Sequence, residues 1–196
     1  MAQTSTTLIA SKAHITSITG TDISLSATSG VYTMTATSTV LTGAGKLAVG
    51  DLVTVSGSAS NNSTFTVSTV VSTTELTVAE VVTSENADGS STITLDHVGF
   101  VSDKSKGDGY YSQPDGVHTV AYQVANDFNA NATIKMQGTL ATTPTEDDWF
   151  DIANTTFTAD GSTVTSSYNF TGNYVWVRSK TQLLTAGTTN SILLNS

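Results

Sequence analysis

With 196 residues, 16 carboxylates against seven Lys and Arg, and no cysteine, the chain is long enough to bury one large core or two small ones. Its cations (Lys12, Lys46, Lys104, Lys106, Lys135, Arg178 and Lys180) are scattered in sequence, which argues against nucleic acid and anionic membranes as partners, since both need clustered positive charge. The missing thiols exclude disulfides, thiolate metal sites and a cysteine nucleophile.

Thr (38) and Ser (25) make up about a third of the chain, and only 12% of residues are charged. A β-branched side chain suits a pleated, half-buried surface, so this composition favours strands over helices. Residues 1–20 are polar and weakly patterned and read as an N-terminal arm or first edge strand. They lack the basic segment and apolar run of a secretory leader, and no stretch approaches the roughly 18 apolar residues of a membrane helix. From residue 21 the period is two. Ile23 and Leu25 share a face; Tyr32, Met34 and Ala36 share another, with Thr33, Thr35 and Thr37 opposite. Gly50-Asp51 turns the chain before Leu52, Val53 and Val55. "SASNN" turns it again before Phe65, Val67 and Thr69, and Asp88-Gly89 carries a hairpin signal ahead of "STITLDHVGFV". Short strands at this spacing predict a small barrel or sandwich over 21–101.

"SDKSKGDGYYSQPDG" (102–116) breaks the pattern with glycines, a proline and mixed charge, and marks the domain boundary. Residues 102–196 hold both tryptophans and read as a second, jelly-roll-like β-sandwich. In "NYVWVRSK", Tyr174, Trp176 and Arg178 fall on one face and Val175 and Val177 on the other. "PTEDDWFDIAN" is the one segment with helical character, a single acidic turn that Thr145 caps. The expected fold is therefore all-β: two small antiparallel sandwich or barrel domains with an N-terminal arm.

The chemistry-bearing residues are sparse. Glu146, Asp147, Asp148 and Asp151 could form a carboxylate pair or a structural cation loop. Adjacent carboxylates are more often solvated, and the segment lacks the ligand order of an EF-hand. His14, His97 and His118 stand apart, with no zinc-type pair and no Gly-x-Ser-x-Gly elbow. "LTGAGKLAVGD" lacks the spacing of a phosphate loop. The reading is of a protein with no catalytic, cofactor or metal residues. One surface stands out: Tyr110, Tyr111, Trp149, Tyr174, Trp176 and Arg178 could form a platform for a sugar ligand or a protein partner. The expectation, however, is that Trp149 and Trp176 fill the core of the second domain, since one face of a strand must be buried, and the platform is the alternative.

Two stretches carry a resemblance. "VGDLVTVSGSASNNSTFTVSTVVSTTELTVAEVVTSENA" (49–87) resembles a β-module of phage virion proteins. "KGDGYYSQPDGVHTVAYQVANDFNANATIKMQGTLATTPTEDDWFDI" with "YNFTGNYVWVRSKTQLLTAGTTNSILLN" (106–195) is similar to the C-terminal part of virion structural proteins from marine T4-like cyanophages. The resemblance implies a non-enzymatic virion protein of a tailed bacteriophage. It would be made in the host cytoplasm and displayed on the particle exterior as head or tail decoration. Its partners would be other capsid or tail proteins and further copies of itself. The alternative is a carbohydrate-binding module or a fibre or adhesin tip that takes a host-surface glycan.

Overall fold

The computed structural model describes residues 5–111, 116–162 and 164–195. Part of the N-terminal arm (1–4) and of the boundary segment (112–115) therefore lies outside the described residues. The chain is all-β and divides into two compact units. One is continuous, Ile15–Phe100. The other combines Met1–His14 with Val101–Ser196, so the first unit is an insertion in its sequence. We call them the inserted unit and the framing unit.

In chain order, β1 (Ser5–Ile9) and β2 (Lys12–Ala13) open the framing unit. The inserted unit follows with β3 (Ile18–Gly20), β4 (Ile23–Thr28), β5 (Val31–Ala36), β6 (Asp51–Ser56), β7 (Thr64–Ser72), β8 (Glu75–Val78) and β9 (Ile93–Val101), whose last residue crosses the division. The framing unit resumes with β10 (Ser105–Lys106), β11 (Val117–Val124), β12 (Thr133–Thr139), β13 (Phe150–Asp151), β14 (Phe157–Thr158), β15 (Thr165–Thr171), β16 (Trp176–Gln182) and β17 (Thr188–Asn195). Short 3-10 turns form at Asp108–Tyr111 and Glu146–Asp148. Thr145 precedes the second as the sequence predicts, and the Asp148 carboxylate accepts hydrogen bonds from its backbone N–H and hydroxyl (2.7 and 2.8 Å).

The inserted unit is one antiparallel ladder in the order β3-β9-β6-β7-β8-β5-β4. Ile18 at one end and Ile23 and Leu25 at the other belong to the same buried cluster as Val53, Phe65 and Leu76. A ladder whose two ends share a core has folded back on itself. The β4–β5 hairpin turns through Ser29 and Gly30, both at positive φ (52° and 79°), the two-residue turn whose twist matches its strands. Gly57 is also fixed: it has φ 79°, and a Cβ there would collide with the Thr92 carbonyl. Asp88-Gly89 does turn the chain, but β8 and β9 do not pair. Asp88 instead binds the N–H groups of Ser90 and Ser91 in a local Asx turn.

A buried pair ties this unit's start to its middle. His97 Nδ1 accepts the Ile15 N–H (3.2 Å), so its proton sits on Nε2, 3.3 Å from Asp51 Oδ1; the other Asp51 oxygen accepts the Ala48 N–H (2.7 Å). This is a backbone clamp.

The framing unit is a two-sheet sandwich. One sheet runs β1-β17-β11-β15, with β2 also on β17. In the other, β12 pairs with β13 and β14 on one side and β16 on the other, and β10 lies on β16. Val120, Tyr122, Ile192 and Leu194 from the first sheet and Ile134, Met136, Phe157 and Val177 from the second are buried. Tyr122 bridges the sheets: its ring lies 6.4 Å from Phe157 and its hydroxyl donates to the Thr155 carbonyl (2.8 Å). The stretch read as an arm or first edge strand is thus partly structured by its own chain. Ser5–Ile9 forms an edge strand on β17, four pairs long with a bulge between Thr7 and Ile9.

Candidate functional site

The sugar-or-partner stripe predicted from sequence lies in the framing unit, and the reason starts with two glycines. Gly107 and Gly109 donate to the carbonyls of Val175 and Tyr174 (3.0 and 2.8 Å). A Cβ at Gly109 would come 2.7 Å from the Asn173 carbonyl, and one at Gly107 would clash with that of Tyr174. Only glycine lets this segment lie so close to the start of β16. The boundary segment is therefore pinned along much of its length. Ser105 pairs with Val177 and Lys106 with Trp176. Lys104 and Lys106 are two apart, so both point to the Trp176 face.

The result is a cluster of rings and amines. Tyr110 sits 4.8 Å from Trp176 and 5.2 Å from Tyr111, ring centre to ring centre. The Lys104 ammonium lies 4.5 Å above the Trp176 ring. That of Lys106 lies 4.2 Å from the Tyr110 centroid and 5.5 Å from that of Tyr111. Each such contact contributes about 0.5–1 kcal/mol at an exposed site. Tyr110 and Tyr111 are 43% and 55% exposed, and both lysines are exposed. Behind them Asp108 anchors the 3-10 turn. Its Oδ2 accepts the Gly116 N–H (2.6 Å) and lies 3.2 Å from Nε2 of the buried His118, which stacks on Phe170.

The expectation that Trp149 and Trp176 are core residues is not met: both are half-buried. The core is already filled around Tyr122, and Trp176 lies on the other face of β16 from the buried Val177. Its indole N–H is satisfied by the Thr142 carbonyl (3.0 Å). Trp149 instead covers the Arg178 guanidinium at 4.2 Å. Arg178 is itself buried. It makes a two-pronged pair with Glu146 (2.8 and 2.7 Å) and donates through Nε to Gln137 (3.0 Å), its cross-strand neighbour. Tyr174 leaves the group: its ring occupies the space over Gly138 and Gly172, beside Phe150 and Phe170. Of the six predicted residues, then, Tyr110, Tyr111 and Trp176 converge, Trp149 and Arg178 make a second pair, and Tyr174 is packing.

The acidic segment is dispersed among structural partners. Glu146 holds Arg178 and Asp148 holds Thr145, whose backbone and hydroxyl donors keep the Asp148 carboxyl below its ordinary pKa. Asp151 is bound by Lys135 (2.5 Å) and Gln137 (2.9 Å). Partial burial opposes its ionisation, and these two donors outweigh that and hold its pKa down. Among the described residues no three His, Asp or Glu side chains converge as a metal site would require. Sequence reasoning missed Lys104 and Lys106, counted there as scattered charges. Their alternate spacing opposite an aromatic strand was the available signal. No protein-family model matches the chain, and no curated protein matches it in sequence.

Proposed function

We propose that the protein is a non-enzymatic structural component of a tailed-phage virion, displayed on the particle exterior as head or tail decoration and working through protein–protein contacts. The observation that carries this reading, beside the sequence resemblance, is strand β15, "TSSYNFT". It holds seven consecutive in-register pairs with β11 on one side and, among the described residues, carries no strand on the other. It has no charge, no proline and no bulge, the devices that normally protect a sheet edge. The opposite edge of the same sheet has them: a bulge in β1, and Lys12 in β2. An unprotected edge fits a chain that meets neighbouring subunits, whether other virion proteins or further copies of itself. The test is to raise antibody to the purified chain and label intact particles. Surface labelling at regular head or tail positions is expected, and label absent from intact particles and from their dissociated proteins would overturn the proposal.

A second reading, a carbohydrate-binding module or fibre tip for host attachment, is favoured by one separate observation, the exposed cluster around Tyr110, Tyr111 and Trp176.

A further inference from the structure

We infer that the Lys104–Lys106–Tyr110–Tyr111 surface is a binding site for an anionic glycan, one bearing sulfate esters or uronate carboxylates. This deepens the attachment reading and rests on it only for the class of ligand. Three features converge. First, two other cations of this chain are paired with carboxylates, Arg178 with Glu146 and Lys135 with Asp151. Lys104 and Lys106 make no ion pair and no hydrogen bond to an acceptor among the described residues. Their contacts are ring faces, which orient the ammonium groups and leave their N–H donors for an incoming oxyanion. Second, the rings beside them are exposed tyrosines, which present flat apolar surface together with a hydroxyl, and the T-shaped Tyr110–Tyr111 pair offers faces in two directions. The apolar C–H face of a pyranose stacks on such a ring while its acidic substituent reaches the amine. Third, the surface is preformed. Gly107 and Gly109 fix the segment on β16, and Asp108, near His118 and bonded to Gly116, fixes the turn, so little ordering cost falls on binding.

Charge density separates this ligand from single-stranded nucleic acid, which also stacks on rings. A nucleic acid carries a phosphate at every residue and needs a groove of cations, whereas two amines in a chain of net charge −9 match a glycan with sparse acidic groups.

The test is titration of the full chain by calorimetry with four probes: a sulfated dextran oligosaccharide, an oligouronate, neutral dextran of the same length, and an oligo-dT. Binding of one or both acidic glycans is expected, weakening as salt rises, with neutral dextran at least tenfold weaker; which acidic probe wins identifies sulfate or carboxylate. The double variant Lys104→Gln/Lys106→Gln should lose at least tenfold, and Tyr111→Ala several-fold, while Lys46→Gln in the inserted unit stays as wild type. Circular dichroism identical to wild type shows that the variants fold. Failure of both acidic glycans to bind at millimolar concentration, equal loss in the Lys46 variant, or preference for oligo-dT would each overturn the inference. None of these outcomes bears on whether particles carry the protein, so the virion proposal stands or falls separately.

Discussion

The inserted unit holds one lysine against seven carboxylates and three of the chain's fourteen aromatic residues; the framing unit holds six cations against nine carboxylates and the other eleven. The inserted unit uses its carboxylates on its own backbone. Asp22 accepts from the N–H and hydroxyl groups of both Ser38 and Thr39, and Glu80 accepts from the backbone and hydroxyl of Thr66. Glu85 reaches into the "SASNN" turn, taking the Ser58 hydroxyl (2.6 Å), the Ala59 N–H (2.9 Å) and the Asn61 amide (3.1 Å). These are local devices that hold the unit's turns and strand ends through backbone and hydroxyl donors. The framing unit instead pairs carboxylates with cations and turns rings and amines outward. The contrast teaches that net charge describes the two halves poorly: one is a self-latched scaffold, the other carries the recognisable surface.

Breaking the framing unit's core should have the largest effect. Tyr122 is 1% exposed and joins the two sheets, so Tyr122→Ala should cost roughly 3–5 kcal/mol. Both tryptophans lie in the framing unit, so their fluorescence reports its unfolding in denaturant. A loss below about 1 kcal/mol would mean that the sandwich does not depend on this bridge. Next comes Arg178→Met, which keeps bulk but leaves Glu146 and Gln137 without their donor. Glu146 is partly exposed and can rehydrate, which limits the cost to about 2 kcal/mol. The Trp149 emission should also shift to the red as its guanidinium cover is lost, and unchanged emission would count against the stacked pair.

Trp176→Ala tests the outward placement of the indole. A half-buried indole that covers a strand face should cost about 1–2 kcal/mol, clearly less than Tyr122. A loss as large as that of Tyr122 would return the ring to the core and remove the outward surface.

The strands of the inserted unit were legible because one rule decides them. Ile23, Leu25, Met34, Val53, Val55, Phe65 and Val67 alternate with polar residues, and all are buried. Topology was not legible. Nothing local in "STTLI" says that it pairs with "SILLN" at the far end of the chain, and the Asp88-Gly89 signal describes a turn without saying whether the flanking strands meet. The stripe was half legible. Period two placed Trp176 and Arg178 on one face, but the choice between core and surface depended on what else filled the sandwich, and Tyr122 does so from a distant strand. Tyr174 could not be told from its neighbours, because the slot that takes its ring is formed by Gly138 and Gly172.

The smallest effect concerns the latches, and it carries a sign in pH. Hydrogen bonds from the Ser58 hydroxyl and the Ala59 N–H, with Asn61 and Ser60 behind them, hold the Glu85 carboxyl below its ordinary pKa. A depressed folded pKa contributes stability that is present above the unfolded value of about 4.3 and is lost as pH falls through the folded value. Glu85→Gln lacks that contribution at every pH. The variant should therefore be less stable than wild type at pH 7, by about 1 kcal/mol or less, and the gap should close below the ordinary carboxylate range. The inserted unit has no tryptophan, so the measurement is amide hydrogen exchange over residues 57–63, corrected for the intrinsic rate at each pH. A gap that stays constant on acidification would show that the loss does not come from the ionised carboxylate, and one that widens would show that the charge opposes the turn. Either result would erase the distinction between a unit latched by its carboxylates and one that pairs them with cations.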